Sequence, residues 1–273
     1  MKGIRIILLS WWLVSGCVGW GHQYRIINDE DSLDQVTSLL VAEGIGRSNV
    51  MAWAETVRQY NEYARQYAAT VANTNWVNKV DKEILTKAPY PSDRNCRAGV
   101  FDLVKAVVTI GSNAIGENEN AMGKRRSPHI DREIRRIYGL NPSECALYGV
   151  LFDSVMLPPV QQVTRTHAEE AMKQLKALWR TDGLRFPDNA LRILQVILIS
   201  REGANSDHAG LVILKNNKIL LLEKVCPFAP YMLSSFSSID EMGASLCRDY
   251  DEKKSPVVVI LNDEIVATNI KEP

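Results

Sequence analysis

An excess of charge of either sign is what this 273-residue sequence most clearly lacks. Its 32 lysine and arginine side chains are balanced by 32 aspartate and glutamate side chains, so the formal net charge is zero. A protein that binds nucleic acid needs a basic surface to neutralise phosphates. We therefore expect no nucleic-acid partner.

Metal-binding spacings are also lacking. The five cysteines and four histidines form no tight CxxC pair and no Cys/His cluster of the kind that holds structural zinc. We expect neither a metal nor another cofactor. Internal repeats and a recognisable domain linker are absent too, and 46% hydrophobic with 23% charged residues is an ordinary globular composition. We predict a single domain over residues 31–273.

The one long apolar run, at the amino terminus, is too short for a permanent membrane-spanning helix. Lys2 and Arg5 form a short basic start, and the apolar run covers residues 6–14. It ends in the letters VSGC, with the cysteine at position 17. This ending resembles the bacterial lipobox, where the chain is cleaved before a diacylated cysteine.

The lipobox resemblance implies a signal peptide over residues 1–16, a lipid on Cys17 and a tether over residues 17–30. An ordinary secretory signal with an incidental cysteine is the alternative. Several acyl chains hold a protein stably on a membrane. Val18 stands where an aspartate often retains such proteins at an inner membrane. The expected location is therefore the cell envelope, and the outer membrane facing the periplasm if the source has one.

Removing Cys17 leaves Cys96, Cys145, Cys226 and Cys247 in the mature chain. An exported protein can form disulfides, and four cysteines allow three complete pairings. A free nucleophilic cysteine leaves an odd number for pairing, so reduced cysteines are favoured over a framework of two disulfides.

The order of the predicted elements is typical of an α+β protein. Apolar residues recur at helical spacing in the first two-thirds of the chain, and β-rich runs follow from Leu191. Helices followed by an antiparallel sheet form an α+β domain. The strands of the main hairpin are apolar on both faces, so we expect them in the centre of a covered sheet. The later part is predicted as strands over 192–199, 208–214 and 219–225, a polar turn over 200–207, a helix over 238–249 and a hairpin around 262–263.

One polar turn delivers a cysteine onto the first turn of an apolar helix. Residues 91–95 (PSDRN) are turn and N-cap residues, and apolar residues follow Cys96 at helical spacing. Unpaired N–H groups and the positive end of the helix dipole lower the pKa of a thiol placed there. A lone cysteine is more often a small buried apolar residue, so a nucleophilic Cys96 needs partners.

The main hairpin supplies two candidate partners. If a two-residue turn at 216–217 joins its strands, the register puts His208 and Glu223 on the same face of the sheet. A three-residue loop would put them on opposite faces. With that register, Cys96 would be the nucleophile, His208 the general base and acid, and Glu223 the acceptor that orients the imidazole.

Cys226 is a rival nucleophile because the same register places it near His208. It lies at a strand end before Pro227, where no helix dipole stabilises a thiolate. That electrostatic difference favours Cys96.

The order cysteine, histidine, polar residue, with a helix before a sheet, resembles the papain-like fold and especially the NlpC-type cell-wall peptidases. The resemblance implies a papain-like α+β domain whose N-terminal helices pack on a C-terminal antiparallel sheet. The sequence departs from the NlpC pattern in two places. Asn95-Cys96-Arg97 stands where those peptidases have Asp-Cys-Ser, and the third residue here is Glu223.

A second resemblance extends over most of the mature chain. The sequence is similar to a family of uncharacterised bacterial lipoproteins of about this length, whose domain has no assigned function. That family implies no substrate. The matching segments are Ser92–Arg97, His208–Ile213, Leu222–Lys224, and Pro230–Tyr231 with Phe236.

These observations lead to one expected function and two alternatives. We expect a membrane-anchored, papain-like cysteine hydrolase or amidase that acts on an amide bond in the cell envelope. The expected partners are the membrane, through the N-terminal lipid, and a cell-wall peptide or an envelope protein. The alternatives are a non-catalytic envelope lipoprotein that binds a protein or a wall fragment, and an acyltransferase that passes a thioester to an acceptor other than water.

Overall fold

The structure is a computed structural model that describes residues 23–71, 95–112, 114, 140–224 and 230–271. The expected signal peptide, Cys17 and Cys226 lie outside these residues. Within them the protein is an α+β protein with six helices and one antiparallel sheet of eight strands.

The helices begin where the sequence provides polar caps. Asp29 and Asn141 each form a capping box, and Thr164 and Ser238 each accept a hydrogen bond from an N–H of the first turn. None of the helices in the described ranges is long and apolar enough to cross a membrane. The six helices are α1 (Glu30–Ala42), α2 (Arg47–Val71), α3 (Cys96–Val104), α4 (Pro142–Leu151), α5 (Arg165–Thr181) and α6 (Ile239–Glu252).

The described strands are β1 (Gln23–Ile26), β2 (Ser154–Met156), β3 (Leu191–Ser200), β4 (Gly203–Lys215), β5 (Lys218–Lys224), β6 (Tyr231–Phe236), β7 (Val257–Leu261) and β8 (Glu264–Thr268). They form a single sheet in the order β1-β6-β5-β4-β3-β7-β8, and β2 pairs with one end of β4. The central position of β4 and β5 agrees with the prediction from their apolar faces.

Two segments differ from the prediction. Residues 23–26, assigned to the tether, form β1, because pairing with β6 satisfies their backbone groups. The expected polar turn over residues 200–207 shrinks to Arg201 and Glu202, and β4 already begins at Gly203. The polar side chains of residues 203–207 are typical of a turn, but the backbone of this segment pairs with both β2 and β3. Tertiary pairing therefore overrides the local turn signal.

Helices cover both faces of the sheet. Ile193 and Ile197 of β3 belong to the cores under α1–α5, whereas Leu194 and Val196 of the same strand pack in the core under α6. Side chains alternate between the faces of a strand, so the central strands are apolar throughout. The sequence predicted the N-terminal helical layer, and the structure adds α6 on the opposite face.

Candidate active site

The first residue of α3 is Cys96. The side chain of Asn95 accepts a hydrogen bond from the Ala98 N–H at 2.9 Å, so Asn95 is the N-cap and the helix begins directly after it. Cys96 is buried, with only 7% of its surface exposed. The local sequence thus places the thiol where free N–H groups and the helix dipole favour a thiolate.

The helix start fills a gap along one edge of β4. On that edge β2 pairs with residues 203–205 and β5 pairs with residues 210–215. Residues 206–209 therefore have no strand neighbour on this edge in the described part of the chain, although they pair with β3 on the other edge. The sulfur of Cys96 lies 4.0 Å from the carbonyl oxygen of Asp207. Arg97 Nη1 donates to the carbonyls of Ser206 and Asp207, the latter at 3.2 Å.

A bulge shapes β4 at this gap. Val196 of β3 pairs with His208 and the next residue, Ile197, pairs with Ser206, so Asp207 is an extra residue in β4. A bulge bends its strand and redirects side chains. Here it separates the strand half that pairs with β2 from the half that carries His208.

The hairpin of β4 and β5 has the register that the sequence predicted. Asn216 and Asn217 have φ angles of 51° and 59°, as a two-residue type I′ turn requires, and Gly210 faces Glu223. Because position 210 carries no side chain, Glu223 reaches diagonally to His208. Its Oε2 lies 2.7 Å from His208 Nε2, and both side chains are about nine-tenths buried.

The thiol interacts with the imidazole. Burial raises the pKa of Cys96, but the charge of His208, its hydrogen bond to the sulfur, the charge of Arg97 and the Ala209 N–H together lower it below the ordinary value. Burial lowers the pKa of His208, yet interactions with Cys96 and then Glu223 raise it to about 10. Since Nε2 faces Glu223, Nδ1 is the ring nitrogen left for the thiol.

The structure therefore brings Cys96, His208 and Glu223 together. The charge distribution favours a thiolate–imidazolium pair near neutral pH, with the imidazolium held between two anions. Such an arrangement can deliver a nucleophile and a proton to the same bond.

A family model described as a domain of unknown function (DUF4300) matches residues 23–266. The chain belongs to this family. No curated protein and no solved structure matches it.

In this DUF4300 protein, α6 contributes a residue that sequence analysis did not identify. Tyr250 donates its hydroxyl to Oδ2 of Asp207 at 2.6 Å. Burial and this carboxylate raise the pKa of Tyr250 above its ordinary value. Next to it, burial and the charge of Glu223 raise the pKa of Asp249 to about 6. Nothing local in the sequence signals these contacts, because Tyr250 lies 43 positions from Asp207.

Cys247 is a poorer candidate nucleophile than Cys96. No disulfide joins the described cysteines Cys96, Cys145 and Cys247 to one another. Burial, with the charge of Asp251, raises the pKa of Cys247 to about 11. Cys145 lies on α4, where its sulfur contacts the carbonyl of Leu140. Among the described residues, no cluster of histidine, cysteine or acidic side chains has a geometry that could hold a metal ion.

Proposed function

We propose that this protein is a cysteine hydrolase or amidase with a papain-like arrangement of Cys96, His208 and Glu223. The observation that carries the proposal is the buried path from thiol to imidazole to carboxylate, with 2.7 Å between Nε2 and the carboxylate. A nucleophile, a base and a group that orients the base are the components of nucleophilic acyl transfer.

In the proposed reaction, His208 takes the proton of the Cys96 thiol and the thiolate attacks the carbonyl carbon of an amide. A C–S bond forms while the carbonyl π electrons move onto oxygen. His208 then gives its proton to the amine nitrogen as the C–N bond breaks, which leaves a thioester on Cys96. Water, deprotonated by His208, attacks the thioester, and the products are a carboxylic acid and the restored thiol.

Two further groups take part in this scheme. Glu223 holds the imidazole through Nε2 and stabilises its protonated form, so Nδ1 stays directed at the sulfur. The N–H groups at the start of α3, that of Cys96 among them, stabilise the oxygen anion of the tetrahedral intermediate. Neither role requires a metal.

The cell envelope is the proposed location of the substrate. The lipobox-like ending at Cys17 supports export and lipid anchoring, which would place the domain beside wall peptides and envelope proteins. An amide bond in one of these partners is the proposed target. The departures from the NlpC pattern at Asn95 and Arg97 leave the identity of that amide to experiment.

Trapping of the thioester tests the enzymatic proposal. Purified wild-type protein would be mixed with peptides released from bacterial cell walls and with envelope protein digests, then quenched in acid and weighed by mass spectrometry. We expect an acyl adduct on the peptide that carries Cys96, and new amine products. Cys96→Ser and His208→Ala, checked for folding by circular dichroism, should give neither.

The products separate the alternative functions. Free carboxylic acid indicates hydrolysis, whereas an acyl group passed to an added amine indicates acyl transfer. Saturable binding of a wall fragment or an envelope protein, with no adduct and no product, would contradict the enzymatic proposal. It would favour the alternative, a non-catalytic lipoprotein that binds such a partner. An adduct on Cys226 instead of Cys96 would assign the nucleophile to the rival thiol.

The anchor has its own test. Cys17→Ser should release a folded protein from the membrane fraction of the producing cells, because the acyl chains are lost. The measurement is fractionation followed by the intact mass of the wild-type protein. Wild-type protein found in the soluble fraction without acyl chains would remove the lipoprotein proposal and leave the enzymatic one intact.

A further inference from the structure

The surroundings of the thiol come largely from one short segment of β4, residues 206–209, here called the bulge segment. The Asp207 carbonyl lies 4.0 Å from the Cys96 sulfur, where it accepts a hydrogen bond from the neutral thiol, whereas the Ala209 N–H donates to the sulfur and favours the thiolate. His208 lies between these two residues in the chain, and its imidazole interacts with the same sulfur. The position of this backbone therefore sets how well a thiolate is stabilised.

The bulge segment lacks the support that strands usually receive. On the edge that faces α3 it has no strand neighbour among the described residues, and Asp207 is inserted into the ladder. Bulges leave backbone groups unpaired and bend the strand. Among the described strands, only β3 therefore pairs with this segment.

Two side chains from opposite faces of the sheet supply further contacts. From α3, Arg97 is 4% exposed, and its Nη1 donates to the two successive carbonyls of Ser206 and Asp207. From α6, Tyr250 is 8% exposed, and its hydroxyl donates to the carboxylate of Asp207 at 2.6 Å. Asp207 itself is exposed, so burial does not hold it in place and the tyrosine does.

We propose that Arg97 and Tyr250 are positioning residues that clamp the bulge segment, and that this clamp sets the distance between the Cys96 sulfur and its partners on β4. Arg97 fixes the segment to the start of α3, and Tyr250 fixes it to α6. The clamp rests on the proposed function only for its effect on turnover, because its effect on the thiol can be measured without a substrate.

The titratable and charged groups around the thiol come from four elements. They differ in what they do: two act directly on the sulfur, two act through the bulge segment, and two act on the imidazole or its carboxylate. In that order they are His208 and Arg97, Asp207 and Tyr250, Glu223 and Asp249. Arg97 acts in both ways, because it also donates to the bulge segment.

Tyr250→Phe is the main test because it removes one hydroxyl and no charge. The rate of Cys96 alkylation would be measured from pH 4 to pH 10, with the modified peptide identified by mass spectrometry. Loosening the bulge segment weakens the hydrogen bonds to the thiolate, so the midpoint of the profile should move up by about one pH unit. Tyr24→Phe, on the far strand β1, is the matched control and should keep the wild-type midpoint.

Asp207 variants show whether Tyr250 acts through the observed hydrogen bond. Asp207→Asn keeps an acceptor oxygen, so Tyr250→Phe should shift the midpoint in that background as it does in the wild type. Asp207→Ala has no acceptor, so Tyr250→Phe should cause no further shift there. A wild-type midpoint for Tyr250→Phe, or an equal shift in the Asp207→Ala background, would overturn the proposal for Tyr250.

Arg97 needs variants that separate its charge from its geometry. Arg97→Lys keeps the positive charge but is one bond shorter and lacks the planar guanidinium, whereas Arg97→Met removes the charge. The clamp predicts an upward midpoint shift in both variants, larger in Arg97→Met. If the alkylation profile of Arg97→Lys matches the wild type while that of Arg97→Met is shifted, then Arg97 acts only through its positive charge. That result would contradict its positioning role.

The same data set distinguishes this inference from the proposed function. If His208→Ala leaves the Cys96 profile unchanged, the thiol is not coupled to the imidazole and the proposed enzyme fails. If His208→Ala shifts the profile and Tyr250→Phe does not, the enzyme stands and the Tyr250 half of the clamp fails. Circular dichroism and thermal melting of every variant confirm that the profiles come from folded protein.

Discussion

His208 lies between two acidic groups, and this determines the charge state of the site. Its Nε2 faces the Glu223 carboxylate, and its ring also interacts with the Cys96 sulfur. A buried cation needs a neighbouring anion to offset its lost hydration. With two such neighbours, the protonated imidazole is favoured over the neutral one, and the thiol loses its proton to the ring.

Glu223→Gln tests this charge balance. Glutamine matches glutamate in shape, so the fold should be kept, but the lost negative charge lowers the pKa of His208 and makes the imidazolium less favourable. Through the coupling, the midpoint of Cys96 alkylation should move to higher pH and any turnover should fall. His208→Ala should move the profile further, towards that of a free thiol.

The measurement is the pH profile of Cys96 alkylation in the three proteins, with circular dichroism as the folding check. Cys247 is an internal control, because its raised pKa of about 11 should keep it unlabelled near neutral pH in all of them. Superimposable alkylation profiles in the three proteins would show that the Cys96 thiol is not coupled to His208 and Glu223 of the hairpin.

At the scale of elements, α3 makes a close contact with the sheet. Gly99 lies one turn after Cys96, and the phenol of Tyr231 on β6 packs directly against its Cα. Tyr231 is held in turn by an edge-to-face contact with Trp53, with ring centroids 5.2 Å apart, and by Lys224, whose Nζ lies 5.7 Å from its ring. The position of α3, and with it the thiol, depends on the absence of a side chain at residue 99.

Gly99→Ala should therefore displace α3. The added Cβ would overlap the Tyr231 hydroxyl oxygen and lie 3.0 Å from Cζ. Overpacking of this kind costs about 1–3 kcal/mol in the free energy of unfolding. We also expect slower Cys96 alkylation near neutral pH, because the sulfur moves away from its partners on β4. Urea denaturation and the alkylation rate are the two measurements.

Two variants make this prediction specific. Gly46→Ala is the matched control, since a Cβ there meets nothing within 4 Å and the only expected cost, below about 1 kcal/mol, is that of alanine in place of glycine at the start of α2. Tyr231→Phe combined with Gly99→Ala removes the overlapping oxygen and should restore part of both losses. Equal effects of Gly99→Ala and Gly46→Ala would show that the contact with Tyr231 does not set the position of α3.

Across the whole molecule, the site joins the two layers that the sheet separates. Alternation along β4 and β5 directs His208 and Glu223 to the face covered by α6, while α3 packs on the other face. The thiol meets the imidazole because α3 begins in the gap between β2 and β5. Proton binding by the Cys96–His208 pair is therefore linked to the stability of the folded chain.

That linkage predicts how stability depends on pH. If the native pair stays charged as thiolate and imidazolium, the unfolded chain holds one extra proton, on its thiol, below the ordinary histidine pKa of 6.5, so the pair's contribution to stability falls as the pH falls. Between 6.5 and the ordinary cysteine pKa of 9.0, both states hold one proton on the pair, and the contribution is constant. Above 9.0 the native imidazolium keeps a proton that the unfolded chain has lost, so stability falls as the pH rises towards about 10.

The limiting slope on either side is about 1.4 kcal/mol per pH unit. Chemical denaturation at several pH values, compared with a Cys96→Ala/His208→Ala double variant, isolates the contribution of the pair. A difference that changes steadily between pH 6.5 and 9 would show that the native pair is not charged in that range.

The sequence by itself determined the features that depend on neighbouring residues. Asn95 caps α3 through a contact three residues away, and the two asparagines at 216–217 set the hairpin register that places His208 and Glu223 on one face. Both are short-range effects of side-chain chemistry and turn geometry. The α+β class follows from the same kind of signal, the period of the apolar residues.

Only the tertiary structure decided the contacts between distant parts of the chain. Cys96 and Asp207 are 111 positions apart, Tyr250 reaches Asp207 from α6, and residues 23–26 pair with β6. The gap in β4 exists because β2 and β5 pair with different halves of one strand and a bulge separates them. Strand pairing and helix docking depend on surfaces that form only when the chain is folded, so no local pattern encodes them.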